Sequence, residues 1–498
     1  MTTTLATSQT ATTAAGTGHN KRWWILAVLA VAQLMVVLDA TVVNIALPTA
    51  QLDLHFSDSS RQWIVTAYSL SFGALLLIGG RIADIVGRKW VFIVGLIGFA
   101  VASAIGGASV DVGMLIAARA VQGAFAALLA PAILSLLTTT FHEPAERGKA
   151  FGVFGAIAAG GASVGLLLGG FLTEYANWRW TLYVNLILAV VGVVGGLLLL
   201  EHSKSAERAK LDVPGTVIVS AGLFALVYGF SHAETDGWAN GITIGFLVGA
   251  VVLLAVFGWL QTRVEHPLLP LRIILDRNRG GSLLAMFMSA AGMFAVFLFL
   301  TYYLQTSLHY SAVRTGVAFL PMTGILVVAS AVASTVLVPR VAPRVLIPFG
   351  MVLAGGGLAL LTQIGLTTNY ATHVLPALIL LGVGLGLVFA PAFSLATLGV
   401  EARDSGVASA AVNTMQQVGG AVGTALLNTI AASAATAYAT SHLSQNTQLV
   451  QANAAIHSYT TSFWWAAAIF AVGAAISAVV LRPGVPQLDP EAAGGVVL

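Results

Sequence analysis

No cysteine occurs among the 498 residues, which excludes a disulfide framework and any thiolate metal site. Charge is almost as scarce. Asp, Glu, Lys and Arg make up 8% of the chain, against about 25% in a typical soluble domain. With 58% of residues hydrophobic, a water-soluble fold has no means of hiding its apolar surface. The ten histidines are scattered without HExxH or other paired spacing, so no resident metal is expected. Also missing are a GxxxxGK[ST] phosphate loop, a GxSxG elbow and a GxGxxG turn between strand and helix; Gly382-Val-Gly-Leu-Gly386 sits inside an apolar run. These absences leave no enzyme class and no cofactor to assign, and point to an ion gradient as the energy source of any transport. The net charge of +3 comes from short basic loop clusters, not a nucleic-acid-binding face.

What is present is a series of apolar stretches of 18 or more residues between Trp23 and Leu481, each long enough to cross roughly 30 Å of hydrocarbon as a helix. They do not alternate as barrel strands do. The pattern predicts an all-α polytopic membrane protein with fourteen spans: 23–48, 62–80, 90–108, 113–139, 149–173, 180–200, 213–231, 241–260, 282–304, 315–338, 345–366, 373–397, 405–436 and 460–481. A polar stretch near 437–459 reads as an outer loop, and 262–281 as a cytoplasmic one. The run after Lys21 and Arg22 is too long for a secretory signal and contains Asp39, so it reads as a permanent first span.

Cytoplasmic loops carry an excess of Lys and Arg. With the N-terminus inside, eighteen of the 22 basic residues fall in cytoplasmic segments; three, Arg61, Arg179 and Arg314, fall outside, and Arg119 lies within a span. Both termini are therefore expected in the cytoplasm. A faint repeat pairs spans 1–6 with spans 9–14: Ala130-Pro131-Ala132 is echoed by Ala390-Pro391-Ala392, and the basic loop at Arg81 to Lys89 by Arg340 and Arg344. The expected organisation is a disordered tail (1–22), a six-helix bundle (23–200), two extra helices with linkers (201–281), a second six-helix bundle (282–481) and a C-terminal tail (482–498), acting as a monomer in the bilayer.

Asp39 is the one carboxylate deep in a predicted span, where an aspartate costs about 2.5–3.5 kcal/mol to insert. It is either a proton-binding group or a structural hydrogen-bonding anchor. Arg119 is the one cation deep in a span and needs a partner, with Asp39 the obvious one; its alternative is to snorkel to the outer interface. Arg119, Gln122, Gly123, Ala126 and Ala130 share one face of span 4. Gly161, Gly165 and Gly169, with Gly170 adjoining, form a small-residue face on span 5 that suits close packing or sliding. Asn413, Gln416, Gln417 and Gly420 form a stripe on span 13 that either lines a substrate path or bonds between helices. Asn44, Tyr68, Gln122 and Tyr302 complete the candidate path. Aromatics such as Trp63, Phe294, Phe297 and Tyr303 either line a cavity or pack.

Several of these residues fall in recognisable motifs. Gly80-Arg-Ile-Ala-Asp84-Ile-Val-Gly87-Arg88-Lys89 resembles the signature cytoplasmic loop of the major facilitator superfamily. Leu38-Asp39-Ala-Thr41-Val-Val-Asn44-Ile-Ala46-Leu47-Pro48 resembles the LDxTVVNVALP motif of its fourteen-span drug:proton antiporters, the EmrB/QacA type. Arg119-Ala-Val-Gln122-Gly123 resembles their RxxqG motif, and Trp178-Arg179-Trp180 to Asn185 their WRW-xxxx-N entry to span 6. In span 5, Leu166 stands where their GPxxGG motif has proline, which leaves the helix straighter. The resemblance implies a major facilitator fold and proton-coupled export of amphipathic drugs or antibiotics across the inner (plasma) membrane; the alternatives are a dedicated transporter of one endogenous metabolite or secondary-metabolite antibiotic, and a membrane receptor or scaffold that does not transport. It further implies proton transfer through Asp39 and Arg119, and a cytoplasmic latch in which Asp84 sits near the start of span 13.

Overall fold

A backbone group left unpaired in hydrocarbon costs several kcal/mol, so a chain this apolar must satisfy its own amides within helices or a closed barrel. The computed structural model describes residues 9–141, 144–201, 212–264, 267–269, 271–398, 400, 405–442 and 446–484; the side chains of some of these, Asp84 included, lie outside the described set. All regular structure among the described residues is helical. The first eight helices are α1 (Gln9–Leu54), α2 (Asp58–Val86), α3 (Arg88–Gly107), α4 (Val112–Thr140), α5 (Pro144–Tyr175), α6 (Trp180–Leu199), α7 (Val213–Asp236) and α8 (Gly241–Gln261). A short α9 (Leu271–Leu275) precedes α10 (Arg277–Ala295), α11 (Ala312–Val332), α12 (Pro343–Leu361), α13 (Leu375–Thr397), α14 (Ser405–Ser441) and α15 (Thr447–Val480). Twelve of these, counted with their continuations, are long and apolar enough to cross a membrane. Helices α2 and α5 carry shorter described apolar stretches, Trp63–Leu76 and Val164–Tyr175.

Three boundaries differ from expectation. Within 437–459 most described residues are helical: α14 runs to Ser441 and α15 begins at Thr447, with the Asn446 side chain accepting from Gln448 N (3.0 Å) as its N-cap. Polarity suggested a loop there, but the segment has several alanines and no glycine or proline, so both helices extend into it. The linker at 262–281 contains α9, and the helical backbone of α1 starts at Gln9, inside the stretch expected to be a disordered tail. Helix α10 continues through π-turns at Val296–Leu300 and Tyr303–Ser307, α11 through one at Ala333–Leu337, and another at Tyr370–Val374 leads into α13.

Packing follows one scheme twice. Helix α1 lies on α5 and α6, α2 on α4, and α3 on α4 and α6; correspondingly α10 lies on α14 and α15, α11 on α13, and α12 on α13 and α15. The basic loop echo has a physical counterpart in this scheme. Lys89, entering α3, gives its ammonium to the Leu197 and Leu200 carbonyls at the end of α6, and Arg344, entering α12, donates to Ala478 O at the end of α15 (2.7 Å). Arg277 binds the Val479 and Val480 carbonyls, and Arg279 the Leu398 carbonyl that ends α13. Cations at helix C-termini complement the unpaired carbonyls and the dipole. Helix α7 touches both α2 and α14, and Ser220 Oγ donates to Ala74 O (2.6 Å).

Glycines set the closest approaches. A Cβ at Gly79 would fall on the Ala127 carbonyl of α4 and within 3.0 Å of Leu128 Cα, whereas one at Gly98 would meet only the Phe125 ring. Gly79→Ala is therefore expected to lose about 1–3 kcal/mol by forcing two backbones apart. A thermal melt in detergent should show a clear drop for it and a smaller one for Gly98→Ala, whose ring neighbour can turn aside.

Candidate functional site

Four helices of the α1–α6 set deliver hydrogen-bonding side chains to one buried point, and α2 lays an aromatic ring against it. Asp39 comes from the middle of α1. Arg119 and Gln122, three apart and hence on one face of α4, come from the N-terminal half of that helix. Ser103 arrives from α3 and Asn185 from α6. Relative exposures are 0% for Asp39, Ser103 and Asn185, 1% for Gln122 and 2% for Arg119. Arg119 Nη1 donates to Asp39 Oδ2 (2.6 Å) and to Gln122 Oε1 (2.8 Å). Gln122 Nε2 donates to Asp39 Oδ1 (2.7 Å) and Ser103 Oγ (2.6 Å), and Asn185 Nδ2 to the same two oxygens (2.8 and 3.3 Å). Arg119 Nε donates to Ile64 O (3.4 Å), and its guanidinium carbon lies 4.2 Å from the centre of the Tyr68 ring on α2.

This geometry decides between the two readings of Arg119: it turns inward and does not snorkel. All three donors converge on Asp39 and none accepts from it, a set that fits an ionised carboxylate. Removing both ions from water is expensive, and such a pair is tolerated only when its remaining valences are met; Gln122, Asn185 and Ser103 meet most of them. A proton on Asp39 would remove the one negative charge of the cluster and leave the Arg119 guanidinium without its counter-ion. A water-sized crevice lined by Val43, Ala46, Leu47, Ala50, Ile64, Leu115, Trp178, Thr181 and Leu182 reaches Arg119.

The other candidate residues are placed elsewhere. Asn44 is buried, donates to Ala40 O (3.3 Å) and leaves its Oδ1 unpartnered. Tyr68 supports Arg119 from below. The glycines of α5 divide their labour: Gly161, Gly165 and Gly169 admit α1 at Val37, Thr41 and Val42, whereas Gly170 faces Ala312 and Val313 on α11. Asn413, Gln416 and Gln417 stay apart from the Asp39 cluster. Gln416 reaches the Met286 sulfur on α10 (3.8 Å), and Gln417 packs beside Gly73 on α2. In the signature loop, Gly80 packs near Pro131, Gly87 has φ 103° between α2 and α3, and Arg88 begins α3. The Asp84 side chain lies outside the described residues.

Two constellations were not apparent in the sequence. Where α1 ends and α6 begins, Trp178 Nε1 and Arg179 Nη2 both donate to Asp53 Oδ2 (2.9 and 3.0 Å), tying the WRW motif to the end of α1. Also at that end, the two helix sets are joined. Arg61 lies 4.1 Å over the Tyr302 ring, Tyr302 OH donates to Gln51 Oε1 (3.2 Å), and Gln305 Nε2 donates to Ile45 O (3.4 Å). The Val313 amide of α11 donates to Glu174 Oε2 of α5 (3.0 Å), and a Cβ at Gly170 or Gly316 would stand 2.6 Å from a backbone carbonyl across the same contact.

Comparison with known proteins agrees with this architecture. Residues 29–424 match the Major Facilitator Superfamily. The chain is 47% identical over 478 residues to the puromycin resistance protein pur8 of Streptomyces alboniger, covering 96% of this chain and 94% of that protein. It is 37% identical over 405 residues to the cephamycin export protein CmcT of Amycolatopsis lactamdurans, covering 81% and 83%. Among solved structures, a bacterial homologue of the human lysosomal transporter Spinster, captured inward-facing and unoccupied, superimposes with a TM-score of 0.64 at 14% identity, covering 92% of this chain and 97% of that one. A multi-pass helical protein with this match over most of its length is a member of the major facilitator superfamily.

Proposed function

We propose that this chain is a proton-driven exporter of antibiotic-like amphipathic molecules, with fourteen spans arranged as two six-helix bundles, α1–α6 and α10–α15, and the extra pair α7–α8 between them. The observation that carries this reading is the buried Asp39–Arg119 ion pair, 2.6 Å long, confined to the first bundle. A proton reaching Asp39 from outside by way of the crevice above Arg119 removes the charge that holds Arg119, Gln122 and Asn185 together. The first bundle then favours a different packing, and with it the opposite facing of a cavity between the bundles. The joined outer ends correspond to the inward-facing state that loads substrate from the cytoplasm. A 100 mV potential supplies about 2.3 kcal/mol per charge moved, before any pH gradient is added. The basic-residue asymmetry supports both termini in the cytoplasm and residence in the plasma membrane, and nothing in the site suggests an enzyme.

Asp39 is the one acid in the described buried clusters of the helix sets that carries an ion pair, so neutral or weakly charged compounds suit the path as well as cations. Relatives named for antibiotics guide the choice of probes. In proteoliposomes with a pH gradient, adding puromycin, a cephamycin or another amphipathic antibiotic should collapse part of the gradient as substrate accumulates. No proton flux across a broad panel would overturn the reading. Because those relatives are each named for one compound, export of a single antibiotic is the second reading. Cells carrying the chain would then gain resistance to one compound and no others.

A further inference from the structure

The amides that hold Asp39 are not equally committed. Gln122 is locked. Its Oε1 accepts from Arg119 and its Nε2 serves Asp39 and Ser103, so turning it over would set an NH2 group against a guanidinium. Asn185 is not locked. Its Nδ2 serves Asp39 and Ser103, while its Oδ1 is buried without a hydrogen-bond partner. An ionised carboxylate can only accept, so beside it Asn185 must present its NH2 and leave its carbonyl idle. A protonated carboxyl gains an O–H that needs an acceptor, and Gln122 and Arg119 offer none in their present placement.

We propose that Asn185 is a positioning residue for the coupling proton, an amide that reverses when Asp39 is protonated. The inference rests on Asp39 being the coupling carboxylate. When Asp39 Oδ1 takes a proton from water, the Asn185 amide rotates half a turn about its Cβ–Cγ bond. Its Oδ1 then accepts from the new Asp39 O–H and from the Ser103 hydroxyl, where its Nδ2 had donated to both. Each orientation idles one end of the amide, so the amide itself is nearly indifferent and the protonation of Asp39 decides. The only covalent change is the O–H bond on Asp39, and its reversal returns the proton to water. Among the described residues, the charged and titratable groups here are Arg119 from α4 and the Tyr68 phenol from α2. Helices α3 and α6 bring only uncharged Ser103 and Asn185, and α5 approaches α1 with Gly161 and Gly165.

The test is a pH-difference infrared spectrum of the reconstituted protein, with efflux measured against pH on the same samples. Protonation should produce a carboxylic C=O band that Asp39→Asn removes, accompanied by a displaced side-chain amide band that Asn185→Ser removes. In Asn185→Val both forms lose a partner, but the anion keeps Arg119 and Gln122 as donors whereas the buried O–H of the protonated form is left without the amide acceptor, so half-maximal efflux should need about tenfold more protons. Asn185→Ser, whose hydroxyl donates or accepts, should recover part of that shift. An Asp39 band without an accompanying amide band, or an unshifted profile in Asn185→Val, overturns the switch and leaves the coupling role standing. Loss of the Asp39 band itself overturns the coupling role. Should Asn185→Val fail to insert, the spectra of the unsubstituted protein and Asn185→Ser decide.

Discussion

Asp39→Asn is expected to insert and fold normally yet export only downhill, whereas Arg119→Leu is expected to be destabilised by about 3–5 kcal/mol. The asymmetry follows from what each change leaves behind. An asparagine at position 39 keeps an oxygen for Gln122 and Asn185 and removes a charge, so no ion is stranded in the cluster except an Arg119 that still has Gln122, Ile64 O and the Tyr68 ring. Leucine at position 119 leaves a fully buried carboxylate whose remaining partners are neutral amides. The double substitution should therefore be more stable than Arg119→Leu alone. Thermal melts and membrane expression levels check the order, and accumulation assays check the coupling. If active accumulation survived Asp39→Asn, or if the double variant were no better than Arg119→Leu, the pair would not have the role assigned to it.

The second large effect belongs to the outer contact. Gly170→Val would drive a side chain into the Ala312 carbonyl and the Val313 backbone, where neither helix can yield without the two sets parting. The expected result is a population held open to the outside, with uphill efflux lost. Because the chain has no cysteine, a single Asn44→Cys reporter, placed beneath the Gln305–Ile45 contact, gives a clean readout. Labelling from outside by an impermeant maleimide should rise at least about tenfold in the Gly170→Val background, the equivalent of about 1.4 kcal/mol of population shift. Glu174→Ala removes only a carboxylate at the start of α11, worth about 0.3–1 kcal/mol, and should produce a smaller rise. Unchanged labelling in Gly170→Val would mean that this contact does not close the outer face.

Much of the membrane architecture was legible because long apolar runs have one physical outcome in lipid. Asp39 and Arg119 stood out for the same reason: an ion in hydrocarbon demands a partner, and two opposite ions at matching depth supply each other. Gln122 followed from helical spacing. Ser103 was invisible, since a serine in an apolar span usually bonds its own helix. Asn185 appeared in the sequence only as the last residue of a motif, with no hint of its partner 146 residues away. The stripe on α14 shows the limit of spacing arguments. Gln416 and Gln417 are adjacent in sequence, and the rotation of about 100° between successive helical residues sends one toward α10 and the other toward α2. The outer seal could not be read at all, because Arg61 and Tyr302 meet through the relative placement of two helix sets, which no local pattern encodes.

The basic residues at the helix ends remote from the α5–α11 contact make each half behave as a stiff plate. Lys89 rivets α3 to α6, Arg344 rivets α12 to α15, Arg277 rivets α10 to α15 and Arg279 rivets α10 to α13; all four act within one set of helices. At the opposite end the Arg61–Tyr302, Gln305–Ile45 and Val313–Glu174 contacts run from one set to the other, beside the Asp53–Arg179 tie within the first. Plates that are stiff at one edge and hinged at the other convert small angles into large displacements. Along α2, 29 residues long, a tilt of about 10° at the outer contact would move the cytoplasmic end by about 8 Å, taking about 1.5 Å of rise per residue. That displacement is the width of a drug-sized ring system, obtained from a change at the hinge no larger than a side chain.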